Sequence, residues 1–314
     1  MIDLSNPIRS SSSWGIVMMY HIDFHCNRNP KCDFCYNDIM KMRDKPTTVE
    51  IANEAFKQAK EHGVKIVMIN GGEPLSSDML LPVLSIADSY GLTTEISTNG
   101  DLITEEILRE ITNRGCHRIV ISVPTMEDFY RMIPKFKLVE KFNMFLAVSS
   151  VYTNENKGYF LSMFEEMADF SSIKKLVKIS LYPHPSHVAQ IPSDEESDKI
   201  AIELYKFQLS HPDKHVTLLK RPMDYFVLKP YIPDLPFVTC GNDWEGGVVR
   251  VLPDGDIINC VFISKVIGNV MTHNIKKIGQ NPDMRRHSII EHCPHYRIIK
   301  EKYPELLEGR KNGN

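Results

Sequence analysis

Apolar, β-leaning stretches recur along the first part of the chain, and segments of helical periodicity separate them. The stretches are WGIVMMY (14–20), VKIVMI (64–69), LTTEIS (92–97), RIVISV (118–123), FLAVSSV (145–151) and LVKISLY (176–182). Six candidate strands at the spacing of a βα unit predict a parallel α/β sheet. In TTVEIANEAFKQAKEHG (47–63), Ala52, Ala55, Phe56 and Ala59 share one helical face, Thr47 and Glu50 form a capping-box pair, and Gly63 supplies the stop. A second helix runs through SDMLLPVLSIADSYG to Gly91 with Pro82 in its early part, and a third runs through TEEILREITNRG to Gly115. A fourth starts at SDEESDKIAIELYKF, with Ser193 and Glu196 as its capping pair and Ile200, Ala201, Leu204 and Phe207 on one stripe.

The periodicity then stops. Residues 221–240, RPMDYFVLKPYIPDLPFVTC, carry four prolines and read as an extended connector, so a boundary is expected there, between a first domain (1–220) and a second (221–314). Beyond it, GGVVRVLPDGDIINCVFI (246–263) alternates on both sides of Pro-Asp-Gly-Asp, which predicts a hairpin. RRHSIIEHCPHYRIIKEKYPELL (285–307) reads as helical with a break at Pro294, and the terminal GRKNGN as frayed.

Composition narrows the class. A chain of 314 residues with 42% hydrophobic content buries a substantial core. Thirty-seven basic against 40 acidic residues, with no run of like charge, point away from nucleic acid and from an anionic membrane and toward a small substrate or a peptide. The N-terminus has no basic region followed by an apolar stretch, and no apolar run reaches the length of a bilayer crossing, so a cytoplasmic location is expected. Seven cysteines, odd in number, do not form a secreted disulfide framework.

Three of these cysteines fall within HCNRNPKCDFCYND (25–38), just after the first candidate strand. Cys26, Cys32 and Cys35 so close together suit a zinc site, with His21 or His25 as a fourth ligand, a redox pair, or a four-iron cluster with one iron left open. Directly after the second strand, MINGGEPL (68–75) places two glycines, whose backbone can come close to a ligand, before Glu73, an acceptor for an ammonium group.

Taken together, the cysteine loop and Gly-Gly-Glu-Pro resemble the radical S-adenosylmethionine superfamily. The matching residues are Cys32-Asp33-Phe34-Cys35, with an aromatic just before the last cysteine, and Gly71, Gly72, Glu73 and Pro74. STNG (97–100) and ISVP (121–124) fall where that family places polar contacts to its cofactor. The resemblance implies a partial (β/α)6 barrel of TIM type over residues 14 to about 185. It implies a [4Fe-4S] cluster on Cys26, Cys32 and Cys35, with S-adenosylmethionine held near Phe34, Gly71, Gly72, Glu73, Pro74, Ser97, Asn99 and Ser122. Two departures stand out: the first cysteine gap holds five residues, NRNPK, where three are usual, and the glycine-rich motif common after the fifth strand is not evident.

Cys240, Cys260 and Cys293 lie beyond the proline-rich segment, and GDIINC supplies a Gly-x4-Cys pattern. The arrangement resembles the Twitch or shortened SPASM extension of the same superfamily, which implies an auxiliary iron–sulfur cluster, with His292, His295 or an acidic residue as a further ligand. Cys116 reads as structural, Met18, Met19 and Tyr20 as core, and Tyr182, His184 and His187 as a turn at the barrel's open face.

The implied activity is reductive cleavage of S-adenosylmethionine to a 5′-deoxyadenosyl radical, which abstracts a hydrogen atom from a substrate. A small nucleoside- or sugar-like metabolite of a biosynthetic pathway is the expected substrate, favoured by the lack of a peptide-recognition domain before the barrel; a ribosomally made peptide or protein is the alternative. The electron donor would be a flavodoxin or ferredoxin, and no catalytic side chain beyond the cofactor site is identified. A non-catalytic, zinc-stapled binding protein is the alternative of another class, and it gives Glu73 no task.

Overall fold

The computed structural model describes residues 17–28, 32–35, 46–181, 188–218, 222–235, 248–258, 265–280 and 301. Cys240, Cys260, Cys293, Tyr182, His184, His187 and most of the expected C-terminal helix lie outside these residues.

All six strands expected from the apolar runs are present: β1 (Val17–His21), β2 (Ile66–Asn70), β3 (Thr93–Thr98), β4 (Arg118–Ser122), β5 (Phe145–Tyr152) and β6 (Ile173–Ser180). Each pairs in parallel with the next, in registers such as Tyr20 with Ile69, Ile96 with Ile119, and Ser122 with Ser149. Four strands were not individually or fully anticipated. β7 (His215–Thr217) adds beside β6, β8 (Val248–Val251) pairs in parallel with β1, and β9 (Asp256–Ile258) and β10 (Val266–Asn269) follow in antiparallel fashion. The hairpin expected at Pro-Asp-Gly-Asp is the β8–β9 pair, with Gly255 at φ 83° in its turn. One sheet results, in the order β10-β9-β8-β1-β2-β3-β4-β5-β6-β7. It is an open, predominantly parallel α/β sheet, a barrel that does not close.

The helices are α1 (Val49–Glu61), α2 (Leu80–Ser89), α3 (Glu105–Thr112), α4 (Met126–Lys141), α5 (Phe160–Ala168), α6 (Asp194–Ser210), α7 (Pro222–Leu228) and α8 (Ile275–Gln280). α1 buries the predicted stripe of Ala52, Ala55, Phe56 and Ala59, but its cap is Thr48, whose side chain accepts from the Ile51 amide. Thr47 is drawn away from capping because its hydroxyl lies 2.5 Å from that of Tyr20, both of them buried. The Ser193–Glu196 capping box of α6 forms as expected. Residues 222–228 correct the extended-connector reading. Pro222 opens α7, the one helical position where its missing N–H costs nothing.

These helices pack on the outward side chains of the strands to form one continuous core, including Met18, Tyr20, Phe56, Ile69, Ile96, Ile121, Phe129, Phe136, Val148 and Phe160. Met18 and Tyr20 are core residues, and Cys116 is buried with its thiol 3.7 Å from the Thr94 carbonyl oxygen, a structural position. The C-terminal segment shares this core. Gln58 of α1 donates to the Val270 carbonyl (2.8 Å) and accepts from the Ile275 amide (2.8 Å), both bonds being buried. No helix among the described residues is long and apolar enough to cross a membrane.

Candidate cofactor site at the cysteine loop

Parallel pairing of β1 with β2 does not stop at the ends of the strands. Ile22 donates to the Asn70 carbonyl, Gly72 to that of Asp23 (3.0 Å) and Glu73 to that of His25 (2.7 Å). The ladder therefore binds the segment entering the cysteine loop directly onto Gly71-Gly72-Glu73. This contact explains both glycines. A Cβ on Gly71 would sit 2.6 Å from the Asp23 carbonyl oxygen, and one on Gly72 would sit 1.8 Å from that of His25. The close approach that the sequence assigned to a ligand is, in the structure, an approach to the chain's own cysteine loop.

Glu73 caps the short 3-10 turn Pro74–Ser76 and is 1% exposed. One carboxylate oxygen accepts from the Leu75 amide (3.0 Å) and the Thr98 hydroxyl (2.6 Å), and the other from the Asn99 amide (2.7 Å). Burial pushes the carboxyl above its ordinary pKa, and these three donors partly offset it. A carboxylate has about four acceptor positions, so one remains, on the oxygen facing Asn99.

Asn99 carries the network to the thiols. Its side-chain amide donates to Asn27 Oδ1 (2.8 Å) and lies 3.9 Å from the Cys26 sulfur. Within the loop, the Cys35 amide donates to the Cys32 carbonyl (3.0 Å), which makes the turn that carries Asp33 and Phe34. Cys26, Cys32 and Cys35 are all partly exposed and form no disulfide with one another. Ser97 lies on β3 just before Thr98, and at the end of β4 the Ser122 hydroxyl is 3.4 Å from that of Ser149. Cys26, Cys32, Cys35, Phe34, Gly71, Gly72, Glu73, Pro74, Ser97, Asn99 and Ser122 thus all belong to the C-terminal ends of β1–β4 or to the loops leaving them, the end at which α/β barrels hold their sites.

Other expectations fare differently. His21 is 1% exposed, with its ring 5.7 Å from that of Phe24 and its pKa lowered to about 3 by burial and then by the Arg250 charge. His25 is exposed. Among the described residues, no three His, Cys, Asp or Glu side chains converge tightly enough to share one metal ion. Two of the three thiols are approached by N–H donors, Cys32 by Arg28 and Cys26 by Asn99, contacts that suit thiolates holding an iron–sulfur cluster.

Four charged residues around the loop were not singled out from the sequence. Arg28, inside the five-residue gap, donates through Nε to Asp101 (2.9 Å) and through Nη2 to the Asn99 carbonyl (3.4 Å). Its Nη1 lies 3.7 Å from the Cys32 sulfur, and Nη2 lies 3.6 Å from Asp128. Arg131 of α4 pairs with both Asp101 and Asp128. Burial opposes the Arg28 charge, but hydrogen bonds to Asp101 and Cys32 overcome it and raise the pKa. Burial raises the Asp101 carboxyl, and the two arginines outweigh that to hold it below its ordinary value. The one available signal was a cation between two closely spaced cysteines.

Residues 23–142 match the Radical SAM superfamily, and this part of the chain is a radical SAM domain. The chain is similar to PqqA peptide cyclase of Bradyrhizobium diazoefficiens, 22% identical over 295 residues, covering 87% of this chain and 76% of the relative. It is also similar to the probable GTP 3′,8-cyclase of Methanothermobacter marburgensis, 28% identical over 115 residues, covering 36% of this chain and 37% of the relative. Among solved structures, Streptococcus suis SuiB bound to precursor peptide SuiA shares the fold, with a TM-score of 0.68, 15% identity, and coverage of 87% of this chain and 66% of SuiB. The matches therefore span little more than a third of the Methanothermobacter cyclase and just under two thirds of SuiB. SuiB has also been solved bound to S-adenosylmethionine.

Proposed function

We propose that this protein is an enzyme that binds a [4Fe-4S] cluster on Cys26, Cys32 and Cys35 and cleaves S-adenosylmethionine beside it, to begin a hydrogen abstraction from substrate. When bound, that pair supplies a one-electron reductive cleavage that no side chain could perform. The single observation that carries the reading is the hydrogen-bonded strap of Gly72, Glu73 and Asn99, which joins the cysteine loop to the ends of β2 and β3.

The chain's own residues do the positioning. Gly71 and Gly72 let the strap lie flat on the loop, and Glu73 fixes Thr98 and Asn99 while keeping one acceptor position for an ammonium group. Ser97, Ser122 and the Phe34 turn line the same end of the sheet and serve as polar and backbone contacts to the cofactor.

The expected substrate is a small metabolite. A peptide is the second reading, favoured by the similarity to PqqA peptide cyclase across 87% of the chain. Cys240, Cys260 and Cys293 are proposed to hold the auxiliary cluster in a second unit, 221–314, and a flavodoxin or ferredoxin to donate the electron.

Glu73→Ala tests the site. The variant should retain loop-bound iron but bind S-adenosylmethionine at least ten-fold more weakly by calorimetry, with a matching loss of cleavage. Normal binding and cleavage in that variant would remove Glu73 from the site.

A further inference from the structure

Arg28, in the gap between Cys26 and Cys32, reaches four partners at once. Its side chain is 16% exposed, and its fork contacts Asp101, the Asn99 carbonyl, Asp128 and the Cys32 sulfur. Such reach needs the planar, multiply donating guanidinium; a lysine ammonium could not span these acceptors in one orientation. Arg28, Arg131, Asp101 and Asp128 together carry no net charge, but the Arg28 guanidinium is the group that reaches the Cys32 sulfur, at 3.7 Å, so its charge and its N–H act on that thiol together.

We propose that Arg28 is a positioning residue that clamps the lengthened cysteine loop to the Asn99–Asp101 segment and, by donating to the Cys32 sulfur, sets the reduction potential of the loop's cluster. The proposal rests on the radical SAM reading above. Donors to cluster sulfurs stabilise the more negative, reduced state and so raise the potential. The Asn99 amide at Cys26 acts in the same sense at a second thiol. The gap that departs from the usual spacing thereby gains a purpose, because the extra length carries the side chain that fastens it.

The test compares the parent protein with Arg28→Gln, Arg28→Lys and Asp101→Asn. Iron and sulfide are counted after anaerobic reconstitution, the midpoint potential is followed by electron paramagnetic resonance without S-adenosylmethionine, and amide exchange is measured across residues 24–35 of the metal-free proteins. Arg28→Gln should assemble its cluster with a midpoint shifted to more negative potential, and Arg28→Lys should recover only part of that shift. Asp101→Asn should speed exchange of the loop. An unchanged midpoint in a fully loaded Arg28→Gln protein overturns the redox role. If Arg28→Gln takes up no iron, faster loop exchange in its metal-free form upholds the clamp, and exchange equal to the parent's overturns it. Failure of the parent itself to take up iron overturns the radical SAM reading instead, and the exchange comparison still decides the clamp.

Discussion

At Gly72 the whole site depends on a missing methyl group. A side chain there would drive a Cβ to 1.8 Å from the His25 carbonyl oxygen, a backbone atom that cannot move without breaking the ladder beneath the cysteine loop. Gly72→Ala should therefore destabilise the protein by about 3 kcal/mol or more and abolish iron uptake, measured by denaturant unfolding and metal analysis. Gly63 offers the control. Nothing lies within 4 Å of a Cβ there, so Gly63→Ala carries only the strain of its φ of 79°, about 1–2 kcal/mol, with iron uptake intact. Equal losses in the two variants would count against the strap. Cys32-Asp33-Phe34-Cys35 and Gly-Gly-Glu-Pro were legible in the sequence because each is a local pattern with its own chemistry. The partners of Arg28 were not, because Asp101 lies 73 residues away and only the β3 and α4 folding units bring it near. The same holds for the acceptor capacity of Glu73, most of which serves Leu75, Thr98 and Asn99.

Elements were legible in proportion to their length and burial. β1, β2, β4 and β5 declared themselves because strands covered on both faces are apolar over most of their length, whereas β3 and β6 mix apolar with polar positions. α4 has a stripe of Phe129, Met132, Phe136 and Val139, but mid-helix Pro134 interrupts its pattern. β7 has three residues and β10 four, too few for periodicity to speak. Least visible was the pairing of β8 with β1, which sets Arg250 opposite Met19 and beside His21. That pairing makes a measurable prediction. His21 is held neutral in the fold, its pKa lowered to about 3 from the usual 6.5 by burial and by Arg250, so the unfolded chain takes up a proton first as pH falls. Stability is therefore full above pH 6.5 and is lost on going down towards pH 3, with a His21 share of about 1.4 kcal/mol per pH unit over that window. His215, lowered to about 4 by burial and Lys175, adds in the same direction. Unfolding measured from pH 7 to pH 4 should show a steeper fall for the parent than for His21→Gln, and parallel slopes would contradict the buried placement.

Across the whole molecule, one open sheet holds every described strand from β10 to β7, and the candidate site sits where β1, β2 and β3 end, near the middle of that order. The segments after α7 are joined to this body by β8 on β1 and by Gln58 of α1, among other contacts. Any auxiliary cluster on Cys240, Cys260 and Cys293 would thus belong to a segment whose strands continue the sheet of the radical SAM domain. The central claim is the chemistry of the loop cluster, and one measurement meets it most directly. Protein purified without oxygen is analysed for iron and sulfide, reduced with dithionite, mixed with S-adenosylmethionine and assayed for 5′-deoxyadenosine, beside a Cys32→Ala control. The account predicts about four irons or more per chain, in keeping with a [4Fe-4S] centre, and nucleoside formation that the control lacks. Zinc in place of iron, with S-adenosylmethionine recovered intact, would contradict it.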